Sequence, residues 1–354
     1  MHYSFSIIIV TWNGLHHLKN FLPSVVNSRY ESFEIIIADN ASTDGTAEWI
    51  QKKYPVCRVV TFDRNYGYCG GNNRAVPYAT GDVLVFLNND VRVDPNWLQH
   101  LNNSFNSPDI SIVQPKILSH EEPDQFEYAG AAGGMIDRLG YPFCRGRLFE
   151  HIEKDHGQYN DEKEIFWASG AALTIRKKTF NDLDGFDEDF EFHMEEIDLC
   201  WRAWKRGYKI HFQHQSVVYH LGGGSMPMGS SRKVYYNYRN SLMMLTKNLS
   251  NGLMSKILLR LCLDGLAGIR SLLTFRPNET WAIIRAHFAF YSRFPATLKK
   301  RRKINRAESE LAQNNCPVYQ NLVIVDVFLK GKKTFKELNF DNNLSSIIDQ
   351  GKKH

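Results

Sequence analysis

The sequence has no long uninterrupted hydrophobic run. Its most apolar long stretch, residues 257–275, is broken by Arg260, Asp264 and Arg270. It therefore falls short of the roughly 18–20 apolar residues that a membrane-spanning helix needs. The first apolar run, residues 6–10, is short and has no basic segment before it, so it predicts a strand rather than a signal peptide. We expect no segment of this sequence to cross a membrane.

Paired cysteines are also missing. The six cysteines are scattered singly, with no C-x-x-C pair and no spacing typical of a metal knuckle: Cys57, Cys69, Cys144, Cys200, Cys262 and Cys316. Such spacing indicates reduced, mostly packed thiols in a reducing compartment. The predicted location is therefore cytoplasmic.

The chain has only a weak net charge, but that charge is unevenly distributed. The 354 residues carry +5 overall, too little to imply a nucleic-acid partner, and no recognition motif for one is present. Residues 1–228 hold 21 Lys and Arg against 30 Asp and Glu, whereas residues 229–354 hold 22 against 8. The length, with 43% hydrophobic residues, predicts one large α/β domain with an appendage, or two domains, and the two parts are expected to have different partners.

The first ninety residues alternate between strand and helix patterns. The predicted order is a strand at Phe5–Thr11, a helix from Leu15 to Val26, a strand at Glu34–Ala38, a helix from caps at residues 42–44 to Lys53, a strand at Arg58–Phe62, a short helix at Asn72–Ala79 and a strand at Val83–Leu87. This alternation predicts a mostly parallel, doubly wound sheet, whose ligand site lies at the carboxyl ends of the strands.

Polar residues cluster at three of those strand ends, in the segments 11–14 (TWNG), 39–45 (DNASTDG) and 88–90 (NND). Any one of them alone is better explained as a turn, but three together favour a site for a nucleotide and a hard cation. No glycine-rich dinucleotide or P-loop motif is present, so a metal would have to meet the phosphate charge. Asp90 is the candidate ligand for Mg²⁺ or Mn²⁺, and capping of a turn is the alternative.

Three further features have two readings each. The glycine-rich segment 65–73 either brings backbone close to a ligand or forms a tight turn. Glu195, Glu196 and Asp198 at the start of a predicted helix either complement its positive N-terminus or supply a general base. His220 is either a metal ligand or a polar strand end.

Seven blocks taken in order strongly resemble one enzyme family: SIIIVTWNG, EIIIADNASTDGT, NYGYCGGNN, GDVLVFLNNDV, WASGAALTIRK, GFDEDFEFHMEEIDLCWR and VVYHLGGGS. They are similar to the inverting family-two glycosyltransferases, most of all to the bacterial rhamnosyltransferase-like branch that builds surface polysaccharides. The resemblance spans about residues 4–305. It implies an α/β fold of the GT-A type, with a Rossmann-like mixed sheet and a C-terminal helical extension. The implied division is a catalytic domain (1–228), a basic helical region (229–305) and a tail (306–354).

The resemblance also implies roles for individual residues. The nucleotide sugar would contact Thr11, Asn13, Asp39, Asn65, Gly67 and Asn88, with Asp39 on the base. Trp167, Ser169 and Gly170 would flank the sugar and acceptor, Asp90 and His220 would hold the metal or diphosphate, and the catalytic base would lie among Glu195, Glu196 and Asp198. The chain departs from the family pattern twice, because Asn88 replaces the first carboxylate of the D-x-D motif and Glu196 replaces the usual Asp base.

The implied activity is metal-dependent transfer of a sugar, with inversion, from a nucleotide-diphosphate donor to a saccharide or lipid-linked acceptor. Two other readings stay open: a nucleotidyltransferase, and a non-catalytic nucleotide-sugar-binding module on the same scaffold. Residues 120–165, where donor and acceptor specificity would be set, show no readable pattern.

The basic C-terminal part suggests a membrane surface as a partner. An amphipathic stretch at Lys256–Phe275 and an apolar stretch at Trp281–Phe294 precede the basic cluster Lys299–Lys303. This pattern predicts peripheral binding to the inner face of the cell membrane. The alternative is a helical pair that packs on the catalytic domain.

Overall fold

The secondary structure is that of a mixed α/β protein. The computed structural model describes residues 2–222, 230–306 and 316–340, together with the backbone of residues 344–345. The strands are β1 (Phe5–Thr11), β2 (Phe33–Asp39), β3 (Arg58–Thr61), β4 (Val83–Leu87), β5 (Val91–Val93), β6 (Ile110–Ser119), β7 (Gly134–Asp137), β8 (Pro142–Cys144), β9 (Arg147–Leu148), β10 (His151–Ile152), β11 (Lys163–Glu164), β12 (Ala172–Arg176), β13 (Lys209–His220), β14 (Val318–Tyr319) and β15 (Leu344–Ser345). The helices are α1 (Leu15–Val26), α2 (Thr46–Lys53), α3 (Gly67–Ala75), α4 (Trp97–Ser104), α5 (Lys177–Asp182), α6 (Glu195–Lys205), α7 (Ser231–Asn248), α8 (Leu253–Leu273), α9 (Pro277–Arg306) and α10 (Val323–Phe328).

The main sheet has the strand order β11-β13-β6-β12-β4-β1-β2-β3, and β5 pairs with β13. Its N-terminal half is parallel, as predicted, since β1 pairs in parallel with both β2 and β4. The other half is mixed, because β12 runs antiparallel to β4 and β6 while β13 runs parallel to β6. The prediction of a mostly parallel sheet therefore holds only for the first four strands of the chain.

Two hydrophobic cores lie on the two faces of this sheet. Ile8 and Ile36 belong to one core, whereas Ile7 and Ile35 belong to the other. Successive side chains of a strand point to opposite faces, so the continuous apolar runs of β1 and β2 supply both cores. Burial on both faces explains why these strands are apolar throughout rather than alternating.

The predicted starts of two helices in the N-terminal part, α3 and α2, were wrong. Helix α3 begins at Gly67 rather than Asn72, and a short 3₁₀ turn covers Val76–Tyr78. Helix α2 is preceded by Gly45 in the left-handed conformation (φ 81°), which glycine adopts without strain. Asp44 still serves the helix start, since its Oδ1 accepts the Thr46 N–H at 3.1 Å.

A smaller sheet has the order β10-β9-β8-β7-β14-β15. Strand β14 pairs in parallel with β7, so the segment after α9 belongs to this sheet. Residues of the same sheet line the second cavity described below. Helix α7 begins at Ser231 and α9 ends at Arg306, close to the predicted limits of the helical region. The division of the chain into three domains remains a prediction.

The C-terminal helices pack on the rest of the protein and also expose apolar side chains. None of the described helices is long and apolar enough to cross a bilayer. The basic cluster Lys299–Lys303 is largely engaged with the protein: Lys300 pairs with Asp187 and Asp189, both at 2.5 Å, and Lys303 pairs with Asp184 at 2.7 Å. Lys300 and Lys303 are thus paired with acidic residues before α6, although Lys303 stays largely exposed, as do Lys299 and Arg302.

Candidate active site

A cavity of about 360 Å³ lies where the sheet meets the start of α6. It brings together seven of the residues named from the sequence: Asn88, Asp90, Ser169, Gly170, Glu195, Glu196 and His220. Other lining side chains include Tyr68, Glu127, Tyr128, His193 and Lys233. Residues 223–229, which follow the cavity wall in sequence, lie outside the described residues.

The backbone fixes Asp90 and His220 beside each other. Strand β5 pairs antiparallel with the end of β13, and the Leu221 N–H donates to the Asp90 carbonyl oxygen at 3.1 Å. The His220 Nε2 then lies 3.2 Å from the Asp90 Oδ1 and 3.4 Å from the Asn88 side-chain amide. Three polar groups from two strand ends thus converge on one wall of the cavity.

His220 lies between two carboxylates. Its Nδ1 is 3.3 Å from the Glu127 Oε2, on the other side of the ring from Asp90. Burial alone would lower the pKa of His220, but Asp90 and Glu127 outweigh burial and raise its pKa to about 10. Burial likewise opposes ionisation of Asp90, yet the hydrogen bond to His220 holds the pKa of Asp90 below its usual value. This wall of the cavity therefore stabilises positive charge.

The donor set of this wall fits a divalent cation only in part. Asp90, His220 and Asn88 supply oxygen and nitrogen donors, the ligand types that suit Mn²⁺. No group of three or more His, Cys, Asp or Glu side chains among the described residues could hold a metal by itself. Magnesium-type sites often use one or two carboxylates and take further ligands from substrate phosphates. The residues present fit that kind of incomplete site.

The two glutamates follow a loop with an unusual backbone. Glu191, His193 and Met194 all have positive φ, between 62° and 74°, and helix α6 begins directly after Met194. The Asn240 side chain on α7 fixes this loop by donating to the carbonyl oxygens of Phe190, Phe192 and His193, at 2.6–2.8 Å. This clamp offsets the cost of left-handed backbone at non-glycine residues.

Glu195 and Glu196 each have one buried carboxyl oxygen, Oε2, with no hydrogen-bond partner among the described residues. Burial raises the pKa of Glu196 to about 7, against backbone N–H groups of the helix start that favour the charged form. Burial and the neighbouring Glu196 raise the pKa of Glu195 well above its ordinary value. Near neutral pH the pair therefore shares protons instead of being fully ionised.

Asp198 does not face the cavity, although it lies within one turn of Glu195 on α6. It is completely buried and pairs with Arg202 and Lys247, both at 2.8 Å, and its Oδ1 accepts a hydrogen bond from Asn248 at 2.8 Å. It does not line the cavity. Of the three carboxylates named from the sequence, the geometry therefore favours Glu195 and Glu196 for proton transfer and gives Asp198 a structural part.

The segment before β12 forms another part of the cavity wall. The Ser169 hydroxyl donates to the Ala129 carbonyl oxygen, and the Gly170 carbonyl accepts a hydrogen bond from the Tyr68 hydroxyl at 2.8 Å. The Trp167 indole N–H donates to the Met135 carbonyl at 2.9 Å, and its ring lines a second cavity of about 290 Å³. Glu196 belongs to the linings of both cavities.

The loops assigned to the nucleoside hold one another. The Asn13 N–H donates to the Ser42 hydroxyl at 2.8 Å, and the buried Asp39 accepts the Ser42 N–H at 3.1 Å. Thr11 accepts a hydrogen bond from Asn89, the residue between Asn88 and Asp90, at 3.0 Å. Thr11, Asn13 and Asp39 lie at the same sheet edge as the cavity but do not line it.

Asn65 and Gly67 form the turn that begins α3. The Asn65 Oδ1 accepts the Gly67 N–H at 2.8 Å, and Gly67 has φ 68°. A second contact joins this turn to β2, because Asn40 donates to the Gly67 carbonyl at 3.0 Å. Neither residue is part of the cavity wall.

Comparison with known proteins identifies the family. The sequence pattern of the family described as "Glycosyl transferase family 2" matches residues 6–182, which include β1 to β12. The chain belongs to glycosyltransferase family 2. The matched region contains Asn88, Asp90 and the segment 167–170, whereas Glu195, Glu196 and His220 of this glycosyltransferase follow it.

Two of the curated relatives are named for O-antigen biosynthesis and for rhamnosyl transfer. The chain is 30% identical over 220 residues to the O-antigen biosynthesis protein RfbC of Myxococcus xanthus, covering 61% of this chain but only 17% of that protein. It is 27% identical over 234 residues to an N-acetylglucosaminyl-diphospho-decaprenol L-rhamnosyltransferase of Mycobacterium tuberculosis, covering 60% of this chain and 75% of that enzyme. The chain thus spans about a sixth of the first relative and three quarters of the second.

Solved structures share the fold at low sequence identity. GalNAc-T7, solved with UDP, GalNAc and Mn²⁺, aligns with a TM-score of 0.55 at 18% identity over 71% of this chain and 49% of that one. Residues 1–349 of S. aureus TarS, solved with UDP-GlcNAc, align with a TM-score of 0.53 at 16% identity over 93% and 92%. The predicted GT-A fold is therefore confirmed.

Sequence reasoning missed several residues of the glycosyltransferase cavity. Glu127 and Tyr128 come from the stretch 120–165, where no pattern was readable, and His193 and Lys233 belonged to no motif with an assigned role. Tyr68 lies inside the glycine-rich segment, and an aromatic residue between glycines is a signal that could have identified it as a site residue. His193 lies three residues before Glu196, whereas Glu127, Tyr128 and Lys233 reach the cavity only through tertiary packing.

Proposed function

We propose that this glycosyltransferase moves a sugar from a nucleotide-diphosphate donor, with inversion at the anomeric carbon, to a hydroxyl of a saccharide or lipid-linked saccharide in surface polysaccharide synthesis. The observation that carries the proposal is one cavity lined both by Asp90 and His220 and by Glu195 and Glu196. A cation-stabilising wall and a pair of buried carboxyls in one cavity are what such a transfer requires.

Glu196 is the proposed base. It accepts the proton of the acceptor hydroxyl, the oxygen forms a bond to the anomeric carbon, and the bond from that carbon to the donor diphosphate breaks. The nucleoside diphosphate leaves with the electron pair. The pKa of Glu196, raised by burial to about 7, supports this role, because a general base works best when its pKa lies near the working pH. Its position between the two cavities supports it as well.

Asp90 and His220, with the Asn88 amide nearby, are the residues that would hold Mg²⁺ or Mn²⁺. Once bound, the cation neutralises charge on the departing diphosphate. Their positions support this assignment, since the His220 Nε2 and the Asp90 Oδ1 lie 3.2 Å apart in the cavity wall, with the Asn88 amide 3.4 Å from the same nitrogen. Thr11, Asn13 and Asp39, with Asn65 and Gly67, are proposed to contact the nucleoside.

The decisive experiment is turnover of a panel of nucleotide sugars with Mn²⁺. Release of nucleoside diphosphate from one donor supports transfer, whereas pyrophosphate release would indicate a nucleotidyltransferase, and binding without release a non-catalytic module. Asp90→Ala should abolish metal-dependent turnover without unfolding the protein. Asp94→Ala is the matched control, because Asp94 lies at the other end of the same short strand; near-normal turnover of Asp90→Ala would contradict the metal assignment.

A lipid surface is the proposed location of the acceptor. Helices α8 and α9 and the turn between them expose large apolar side chains, among them Leu258, Leu266, Leu273, Phe275, Trp281 and Phe288. Soluble monomers rarely expose contiguous apolar patches beyond a few hundred Å², and larger ones mark protein or membrane contacts. The net positive charge of residues 229–354 favours an anionic leaflet over a second copy of the same basic region.

The test compares vesicles of anionic and of zwitterionic lipid. Wild type should bind anionic vesicles, and Leu266→Gln with Phe288→Gln should weaken binding at least tenfold while turnover of a soluble acceptor stays unchanged. Lys299→Gln, a single exposed charge, should change binding only slightly. If wild type and the double variant partition equally, these helices do not contact lipid.

A further inference from the structure

The second cavity, of about 290 Å³, meets the first at Glu196. The two linings share Tyr128, Ala129, His193, Glu196 and Lys233, but Asp90 and His220 belong to the first lining alone. A group in the second cavity therefore reaches the proposed base from the side away from the cation-stabilising wall. Under the proposed function, this is the acceptor's side.

Arg147 lines this second cavity as a buried cation that forms no ion pair with the described residues. Only 7% of the residue is exposed, and its Nε has no hydrogen-bond acceptor within the described residues. Its terminal nitrogens donate only to the Phe149 carbonyl at 3.3 Å and to the Cys144 sulfur at 3.6 Å. A buried guanidinium normally has a carboxylate or phosphate partner, because isolated burial of a charge is costly.

Lys233 is a second cation in the same position. The Lys233 Nζ and the Arg147 guanidinium both lie over the Tyr128 ring, 4.9 and 4.1 Å from its centre. No carboxylate among the described residues forms an ion pair with Lys233, and burial together with the charge of Arg147 lowers its pKa. Glu127 attracts both cations but is itself in contact with His220.

Arg260 lines the same cavity, but unlike Arg147 it has a carboxylate close to its guanidinium group. Its terminal nitrogens donate to the Leu139 carbonyl and to the Ser241 hydroxyl, both at 2.9 Å, and Asp264 lies 3.8 Å from its Nε. It also stacks on the Tyr141 ring at 3.8 Å. The Arg260 Nε, like that of Arg147, has no hydrogen-bond acceptor within the described residues, but a carboxylate lies beside Arg260. Arg147 and Lys233 form no ion pair with the described residues, so their charge stays available for a ligand.

We propose that the second cavity binds an acceptor sugar that carries a phosphate or diphosphate, with Arg147 and Lys233 on the phosphate. This inference rests on the proposed function and adds the class of acceptor. Planar guanidinium groups bind phosphate through paired N–H donors, and lysine binds it as a point charge. The rings of Trp167, Tyr141 and Tyr238 in the same lining supply apolar surface for the sugar.

The experiment compares acceptors that differ only in charge. Hexose and N-acetylhexosamine 1-phosphates are each matched with the methyl glycoside of the same sugar, using the donor that the panel above identifies. Wild type should have a lower KM for the 1-phosphate. Lys233→Gln and Arg147→Gln should each raise that KM about tenfold to a hundredfold, the loss expected for one charge-assisted contact. Arg147→Lys should fall between, and Lys299→Gln is the control for loss of one remote charge.

The outcomes separate this inference from the proposed function. Equal KM values for the 1-phosphate and the methyl glycoside in wild type would overturn the inference, as would variants that impair both acceptors equally. A raised KM for the donor instead of the acceptor would assign the two cations to the donor diphosphate and also overturn it. Absence of nucleoside diphosphate release from every donor would overturn the proposed function instead.

A binding measurement reads the second cavity without turnover. A hexose 1-phosphate should raise the Tm of wild type, its methyl glycoside should not, and Lys233→Gln should lose the shift. Because Lys233 is only half-buried, this variant remains informative even if Arg147→Gln fails to fold. An equal Tm shift in wild type and in Lys233→Gln would contradict the assignment.

Discussion

Two sets of carboxylates surround the start of α6 and differ in how their charge is balanced. Asp187 and Asp198 share Lys247, at 2.6 and 2.8 Å, and both are buried in this network. Glu195 and Glu196 are equally close to the helix start, but their Oε2 atoms have no donor within the described residues. Burial alone would raise the pKa of Asp187, but Lys247 and Lys300 outweigh burial and hold it below its usual range, whereas burial raises the pKa of both glutamates.

The contrast separates a structural network from a reactive pair. Removing one member of a buried ion pair leaves a charge without compensation, so the paired aspartates should matter mainly for stability. A buried carboxyl without a partner destabilises the fold and is retained where its chemistry is used. The two sets should therefore respond in opposite ways to neutral substitutions.

The largest effect is expected at Glu196. Glu196→Gln keeps the shape of the side chain but cannot accept a proton, so kcat should fall by about 10²–10⁴ while nucleotide affinity stays the same. Steady-state kinetics with saturating donor measure this directly. Glu195→Gln is the matched control on the neighbouring residue, and a larger loss there would move the base to Glu195.

The next largest effect is expected at Asp198, and on stability. Asp198→Ala leaves Lys247 and Arg202 without their buried carboxylate, which should lower the free energy of unfolding by about 3–5 kcal/mol. Urea denaturation followed by circular dichroism measures the change. Glu188→Ala, which removes a half-exposed pair with Arg74, should cost less than about 1 kcal/mol. Similar losses in the two variants would mean that burial of the pair does not matter.

A smaller effect of opposite sign is expected from Glu196→Gln on stability. The pKa of Glu196 in the folded state, about 7, lies above its unfolded value. The free energy of unfolding of wild type should therefore fall as pH rises through about 7, because the buried carboxyl then loses its proton. Above that pH the variant should be more stable by about 3 kcal/mol, since the pKa rises from 4.5 to about 7 and each unit corresponds to about 1.4 kcal/mol. At pH 4 the two proteins should be equal. A variant that is less stable than wild type at pH 8 would show that the carboxylate has a partner.

The smallest effect is expected at the exposed end of the network. Lys303 and Asp184 form an ion pair at 2.7 Å, but both side chains are more than two-thirds exposed. Lys303→Gln should therefore change stability by less than about 1 kcal/mol, and salt should abolish the difference. Lys300→Gln, which removes two contacts to Asp187 and Asp189, should cost more. The reverse order would contradict a gradient set by burial.

The sequence predicted what depends on local patterns. Strands β1 and β4 have the predicted bounds, because apolar runs limited by polar turns define buried strands. The antiparallel β12 was not predicted, because its direction depends on pairing with β4 and β6 and not on its own residues. The start of α3 was misplaced because its first turn is glycine-rich.

The site was predictable only where a resemblance supplied the roles. The resemblance named Asp90, His220, Glu195 and Glu196, and these residues line one cavity, although their roles remain proposals. Asp198 lies two residues after Glu196 on the same helix, but it forms an ion pair with Lys247, 49 positions away in the chain. No helix pattern reveals such a contact. Arg147 and Lys233 come together over Tyr128 through tertiary packing alone.

The Asn240 clamp has a consequence for how the chain can be divided. One side chain of α7 holds three carbonyl groups of the loop that aims Glu195 and Glu196 into the cavity, and Arg239 adds a contact to Glu191 at 2.9 Å. A fragment that stops before Ser231 would retain β1 to β13 and both glutamates but lose the helix that braces them. The helical region is therefore part of the active-site scaffold, and exchanging it between relatives would exchange the alignment of the proposed base along with it.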